Sequence, residues 1–115
     1  MAENHPMKKV FANIEKNLKA NPKPIQGMNA VYRFDISGAS EETYRLYLSD
    51  GDVRVEYGDK KGSADCRILM KEKDFMDMLL GRLNGTSAFM TGKLKVRGNI
   101  GLAMKLQNVL GRYVS

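Results

Sequence analysis

The first segment of the chain carries apolar residues at the spacing of a helix. These residues are Met7, Phe11, Ile14 and Leu18. Apolar residues that recur every three or four positions lie on one side of an α-helix. The prolines of the following run NPKP favour extended backbone in the residues before them. We therefore expect the helix to end before Asn21.

From residue 29 to residue 70 apolar and polar positions alternate, which is typical of strands with one face in water. The four alternating runs are NAVYRFDIS, TYRLYLS, VRVEY and ADCRILM. Short polar or glycine-containing segments separate them, among them the tight-turn signal SDGD at 49–52. Three successive hairpin connections predict an antiparallel meander with one apolar face.

After Met70 the helical period returns, and the apolar face of the segment 72–83 is broader than a surface helix needs. The sequence then predicts a short helix over 86–91, a fifth strand KLKVR, and a last helix that begins at the good N-cap Asn99 and runs to Leu110. We therefore predict an α+β fold in one domain over residues 1–115. It has a five-stranded, mostly antiparallel sheet with helices covering one face.

Composition limits the function without deciding it. The chain has 115 residues, of which 43% are hydrophobic and 28% charged, so we expect an ordered core. The net charge of +6 favours anionic partners, but it does not choose among nucleic acid, acidic lipid headgroups and phosphorylated ligands. Cys66 is the only cysteine and is expected on the inward face of its strand. Since the N-terminus lacks the apolar stretch of a signal peptide, we expect a cytoplasmic protein.

Motifs for catalysis or metal binding are nearly absent. His5 is the only histidine and has no predicted partner, whereas a general base needs a positioned nucleophile or acid nearby. No cluster of cysteines and histidines is present for zinc. We therefore expect no catalytic residue, no metal site, no cofactor and no enzymatic activity.

The run GNIG at 98–101 has the GxxG pattern with which KH domains clamp a nucleic-acid backbone. Basic residues surround it, among them Lys93, Lys95, Arg97 and Lys105. In a KH domain, however, this loop lies between two helices, whereas here it follows a strand. Nucleic-acid binding is therefore the weaker alternative, and we expect no nucleic-acid partner.

The last helix offers a second kind of site. Leu102, Ala103, Leu106, Val109 and Leu110 share one helical face, with Lys105 on the opposite face. Such a face either packs as ordinary core or lines a cavity for a lipid tail, to which the eight methionines of the chain would adapt. The apolar pattern alone leaves these two interpretations open.

The run SAFMTGKLKVRGNIGLAMKLQ at 87–107 resembles the end of the sterol carrier protein type-2 domain family. In that family a serine-alanine-phenylalanine turn and a glycine-lysine-leucine-lysine strand precede a helix of the pattern glycine-asparagine-x-glycine-leucine-alanine-x-lysine-leucine. The run DFM at 74–76 and the upstream order of one helix and four strands fit the family as well. The resemblance covers nearly the whole chain.

The resemblance implies a non-catalytic carrier with a hydrophobic tunnel between the sheet and its helices. Such carriers bind and transfer fatty acids, fatty acyl-CoA or sterol-like lipids. Carried onto this sequence, the lipid-binding residues are Phe75, Met78, Leu79, Phe89, Met90, Leu94, Val96, Ile100, Leu102, Ala103, Leu106 and Leu110, with Gln107 as a polar contact.

Three basic residues of the fifth strand, Lys93, Lys95 and Arg97, are expected to meet an anionic headgroup, a CoA phosphate or a membrane surface. A solvated strand face is the other interpretation of these residues. The chain ends in YVS, without the peroxisomal tripeptide of many eukaryotic members. This favours a cytoplasmic member of the family, and fatty acid or acyl-CoA over sterol. We also expect a monomer. The alternative function is a protein-interaction module that docks a lipid-metabolising enzyme.

Overall fold

A computed structural model describes residues 6–38, 41–58 and 63–111 of the chain. The elements in order are α1 (Pro6–Ala20), a 3-10 turn (Lys23–Ile25), β1 (Asn29–Ser37), β2 (Glu41–Ser49), β3 (Asp52–Tyr57), β4 (Cys66–Lys71), α2 (Glu72–Leu79), α3 (Gly85–Met90), β5 (Leu94–Gly98) and α4 (Ile100–Gly111). The predicted α+β class with a five-stranded sheet is confirmed. His5 lies outside the described residues.

The sheet is mixed, with the strand order β3-β2-β1-β4-β5. All neighbouring strands pair antiparallel except β1 and β4, which run parallel. The predicted meander is therefore wrong at one connection, since the chain after β3 crosses to the far side of β1. Side-chain alternation fixes the face that each residue occupies, but it does not fix the strand that a run pairs with. The sequence pattern thus did not reveal the crossing.

The helices pack on one face of the sheet, which we call the inner face. The strand residues that point there are buried as the alternation predicts, among them Tyr32, Phe34 and Ile36 of β1. Phe11 of α1 stacks on Tyr44 of β2, with ring centroids 4.3 Å apart. Aromatic pairs of this kind add to the apolar area that they bury, so the rings join α1 to the sheet in one core.

The helix predicted over 72–83 is shorter than expected, because α2 ends at Leu79. Gly81 follows with a φ of +77°, a left-handed conformation that commonly ends helices at glycine. Asn84 then starts α3, since its Oδ1 accepts hydrogen bonds from the N–H groups two and three residues later, at 2.8 and 3.2 Å. The broad apolar segment is thus divided into two short helices with a turn between them.

The opposite face of the sheet, the outer face, carries a row of charged residues on adjacent strands. In register from β5 to β3 the row reads Arg97, Arg67, Arg33, Arg45 and Glu56. Within this row Arg45 is buried, and its Nη1 donates to the carbonyl oxygen of Ser63 at 3.4 Å. Like charges directly opposite on neighbouring strands are destabilising, so the row requires acidic partners.

Candidate functional site

The turn between β5 and α4 has the glycine and the cap that the sequence predicts. Gly98 has a φ of +96°, and a Cβ atom on it would lie 2.7 Å from the carbonyl oxygen of Asp65. Asn99 caps α4, because its Oδ1 accepts a hydrogen bond from the N–H of Leu102 at 3.1 Å. In this fold the GxxG run therefore forms a strand-to-helix turn.

One hydrogen bond ties α4 to the middle strand of the sheet. The hydroxyl of Tyr32 in β1 donates to the carbonyl oxygen of Leu102 at 2.9 Å. Burial raises the pKa of Tyr32 well above its usual value, and the nearby Cys66 and Asp65 raise it further. The hydroxyl therefore remains a donor at neutral pH and holds the first turn of α4 on the inner face.

The predicted apolar side of α4 faces the core. Ala103, Leu106 and Val109 are buried, whereas Lys105 on the opposite side is exposed. The helical spacing thus placed these residues correctly. The side chain of Leu110 lies outside the described part of the structure.

α3 and α4 meet where a glycine leaves room for a glutamine. A Cβ atom on Gly85 would lie 2.6 to 2.8 Å from the Oε1, Cδ and Cγ atoms of Gln107. Gly85 is buried and Gln107 is half-buried. The side chain of Gln107 therefore lies over the first turn of α3. Its contact with a lipid stays a prediction.

Most of the residues that the sequence predicts as lipid contacts belong to one apolar cluster on the inner face. The buried members are Phe75, Met78, Leu79, Leu94, Ala103 and Leu106, and the half-buried ones are Phe89, Val96 and Leu102. The structure thus brings together residues of α2, α3, β5 and α4 and packs them against one another. The tunnel between them, and their contact with lipid, stay predictions.

Two of the predicted lipid contacts lie outside this buried cluster. Met90 is 79% exposed at the end of α3, and Ile100 is 47% exposed at the start of α4. A sequence motif does not specify which way a side chain points at a helix end, so their exposure was not predictable. Their contact with lipid also stays a prediction.

On the outer face, one carboxylate holds two of the arginines. Oδ1 of Asp35 accepts hydrogen bonds from Nε of Arg33 at 3.2 Å and from Oγ1 of Thr43 at 2.9 Å. Its Oδ2 accepts one from Nε of Arg67. Burial on its own would raise the pKa of Asp35, but the hydrogen bonds from Arg67, Thr43 and Arg33 hold it below the usual value. The carboxylate is therefore ionised at neutral pH and orients both guanidinium groups.

A cavity of about 910 Å³ opens on the outer face beside this carboxylate. Besides the two arginines bound to Asp35, its lining includes the lysines Lys71, Lys73, Lys93 and Lys95. Arg97, the third basic residue singled out from the sequence, lies opposite Arg67 in the register and is not among the lining residues. Arg33 and Arg67 lie on the outer face, whereas Lys73 belongs to α2, and the lining also includes Ile36 and Met70 of the apolar cluster.

Sequence reasoning missed Arg33, Asp35 and Arg67 as site residues. Alternation assigned all three to a solvated face, and the predicted meander put the strand of Arg67 next to β3. The parallel pairing of β1 with β4 places Arg33 directly opposite Arg67 and Asp35 within reach of both. The signal that would have found them is therefore strand order, which local pattern does not contain.

The described residues include few groups with other chemistry. Cys66 is a free, buried cysteine on the inner face, as predicted, and burial raises the pKa of its thiol. In the described ranges, no three histidine, cysteine, aspartate or glutamate side chains lie close enough to hold a metal ion. Of the helices in this part of the chain, none combines the length and the apolar character that crossing a bilayer requires.

Known proteins similar to this chain agree on one family. The sequence matches the SCP-2 sterol transfer family over residues 11–111. It is 43% identical over 105 residues to sterol carrier protein 2 of Homo sapiens, covering 87% of this chain and 19% of that protein. It is 37% identical over 107 residues to peroxisomal multifunctional enzyme type 2 of Mus musculus, covering 90% of this chain and 15% of that protein. The chain spans about a quarter or less of the length of these curated relatives.

Solved structures share the fold. The apo form of sterol carrier protein 2 from Yarrowia lipolytica superposes with a TM-score of 0.76 at 28% identity, over 92% of this chain and 90% of that chain. The palmitated form of sterol carrier protein 2 like 2 from Aedes aegypti superposes with a TM-score of 0.72 at 22% identity, over 88% of this chain and 90% of that chain. At 22% identity, the similarity to the Aedes aegypti protein concerns the fold alone.

Proposed function

Because this chain belongs to the SCP-2 sterol transfer family, we propose that it is a non-catalytic lipid carrier. The lipid tail binds between the inner face of the sheet and the helices α2, α3 and α4. The observation that carries this proposal is the apolar cluster that these elements form together. A tail with about fifteen buried methylenes would gain roughly 12 kcal/mol before the costs of association.

Lipid entry requires the cluster to open, since its side chains pack against one another. α2 and α3 are short helices of 8 and 6 residues, joined by a turn, so they are the elements that move at least cost. Met78 has a flexible, unbranched side chain that adapts to the shape of a tail. The exposed Met90 and Ile100 at helix ends then become the first contacts of the entering lipid.

Fatty acids and fatty acyl-CoA are the proposed ligands, with sterol-like lipids as the weaker choice. The palmitated form of the Aedes aegypti relative supports an acyl ligand for the fold. A transient contact with an anionic membrane surface through Lys93, Lys95 and Arg97 belongs to the same proposal, because basic residues are attracted to acidic headgroups. We further propose a cytoplasmic monomer, although the mouse relative carries a peroxisomal name.

Two measurements test lipid binding. Mass spectrometry of an extract of the purified protein is expected to find co-purified lipid, and the delipidated protein is expected to take up a fluorescent fatty acid. Phe89→Ala removes a half-buried ring next to the cluster and should weaken this uptake about tenfold. The matched control Leu69→Ala removes a half-buried side chain from the outer face and should leave uptake unchanged. A folded, delipidated protein that takes up no lipid would refute the proposal.

A second function, docking of a lipid-metabolising enzyme, is favoured by one observation. The chain spans about a quarter or less of its curated relatives, and the mouse relative named above carries the name of an enzyme. In that case the apolar surface near Met90 and Ile100 would contact a catalytic partner. Failure of lipid uptake together with retained folding would favour this second function over the first.

A further inference from the structure

We propose that the cavity on the outer face is a binding site for a phosphate-bearing anion, separate from the lipid site. Its centre is the pair of guanidinium groups that Asp35 holds on adjacent strands. These guanidinium groups lie on the outer face, away from the apolar cluster, although the cavity lining also reaches Lys73 of α2.

The guanidinium of Arg67 is oriented for an incoming anion. It bonds to Asp35 through Nε, and among the described residues this is its only hydrogen-bond partner, so both Nη groups remain for a ligand. The side chain is 40% exposed. An arginine presents its donors in a planar fork that matches phosphate oxygens in pairs. A fork held at its base by the half-buried carboxylate of Asp35 loses little freedom when it binds.

The charges around the cavity select an anion over a cation. Of its four carboxylates, Asp35 already accepts three hydrogen bonds, and Glu42 is buried and accepts one from the Tyr44 hydroxyl. The other two are Glu41 and Asp74. In formal charge, the four lysines and two arginines stand against all four carboxylates, six against four, which leaves a net charge of +2. The arginine row also places like charges opposite one another, a cost that a bound anion would offset.

The volume of the cavity indicates what else the ligand carries. About 910 Å³ lies in the range that holds a small organic molecule, roughly 300–1,000 Å³, and far exceeds one phosphate group. Leu69 adds apolar surface to the lining. The ligand is therefore a phosphate on an organic body, from a soluble phosphate ester or from a lipid headgroup.

Titration followed by backbone amide NMR tests this site with two probes. Inorganic pyrophosphate stands for a soluble phosphate, and dihexanoyl phosphatidic acid stands for a lipid headgroup. Either probe is expected to shift amides of 35–37, 69–71 and 91–93, the segments that line the cavity. Shifts with pyrophosphate assign a soluble phosphate ligand, and shifts with phosphatidic acid alone assign a headgroup. No shift in these segments with either probe would overturn the proposal.

Charge-matched variants separate a site from general attraction. Lys71→Gln with Lys93→Gln removes two exposed lysines of the cavity and should weaken binding about tenfold. Lys16→Gln with Lys105→Gln removes two exposed lysines from α1 and α4 and should weaken it less than about twofold. Equal weakening by both pairs would mean general charge attraction and contradict a site. Arg67→Gln tests the fork itself and is expected to weaken binding at least as much as the first pair.

Failure of this proposal is distinguishable from failure of the lipid proposal. Fatty-acid uptake should be the same in the single variant Lys71→Gln, at a cavity lysine outside the proposed membrane contact, as in the parent protein. A loss of fatty-acid uptake in that variant would show that the anion site and the lipid site are not separate.

Discussion

The hydroxyl of Tyr32 donates to the carbonyl oxygen of Leu102 at 2.9 Å, across a separation of 70 residues in the chain. The bond joins the middle strand of the sheet to the first turn of α4. That helix carries Ala103 and Leu106, which are buried in the apolar cluster. The position of α4 is therefore set in part by this one polar contact.

Removing this contact should loosen α4. Tyr32→Phe leaves the carbonyl of Leu102 without its side-chain partner, so we expect the free energy of unfolding in urea to fall by about 1 kcal/mol. The control Tyr47→Phe removes a hydroxyl that donates to Glu56 at 3.1 Å from a half-buried position. Water takes the place of the removed hydroxyl beside Glu56, so we expect the free energy of unfolding to fall by less than about 0.5 kcal/mol. Equal losses in the two variants would speak against a special role for Tyr32.

The turn before α4 should tolerate no side chain at Gly98. Gly98→Ala combines a φ of +96° with a Cβ atom 2.7 Å from the Asp65 carbonyl oxygen, and we expect a loss of about 3 kcal/mol. Gly92→Ala is the matched control, because Gly92 has a φ of +82° and nothing within 4 Å of its Cβ position. Backbone strain alone should cost it about 1–2 kcal/mol. Chemical denaturation of both variants measures the difference, and equal losses would exclude the close approach as a cause.

Gly85 and Gln107 should be energetically coupled. Gly85→Ala puts a methyl group within 2.6 to 2.8 Å of the Gln107 side chain, so we expect a loss of about 1 kcal/mol despite the better helix propensity of alanine. In the double variant with Gln107→Ala the crowding disappears, and most of this loss should be regained. A double-mutant cycle in urea measures the coupling. Additive effects would show that a methyl group at position 85 does not interact with the Gln107 side chain.

Stability should depend on pH through Asp35. Because the pKa of Asp35 is lowered by folding, its ionised form stabilises the fold above the unfolded-state value of about 3.9. That contribution disappears as the pH falls through the lower folded-state pKa. The free energy of unfolding of Asp35→Asn should therefore fall by about 1–3 kcal/mol at pH 7. The loss should be much smaller at a pH below the folded-state pKa of Asp35. Asp52→Asn, at an exposed carboxylate, should lose less than about 0.5 kcal/mol at either pH. A loss in Asp35→Asn that is independent of pH would contradict the assignment.

The sequence predicted local features of the fold well because their causes are local. The alternation of apolar and polar residues placed Tyr32, Phe34 and Ile36 on the buried face. The helix cap at Asn99 was predicted from the identity of that one residue. The pairing of β4 with β1 was not predicted, since a crossing connection leaves no trace in alternation. For the same reason the outer-face cluster around Asp35 was missed, whereas the apolar cluster was found through its motif.

In the proposed complex a lipid tail lies between the inner face of the sheet and the helices α2 to α4. Intermolecular nuclear Overhauser effects between 13C-labelled palmitate and the delipidated protein test it most directly. We predict contacts from the palmitate methylenes to Phe75, Met78 and Leu106 on the inner face, and none to Leu69 on the outer face. Contacts confined to Leu69 and its neighbours, or no contacts at saturating palmitate, would contradict the account.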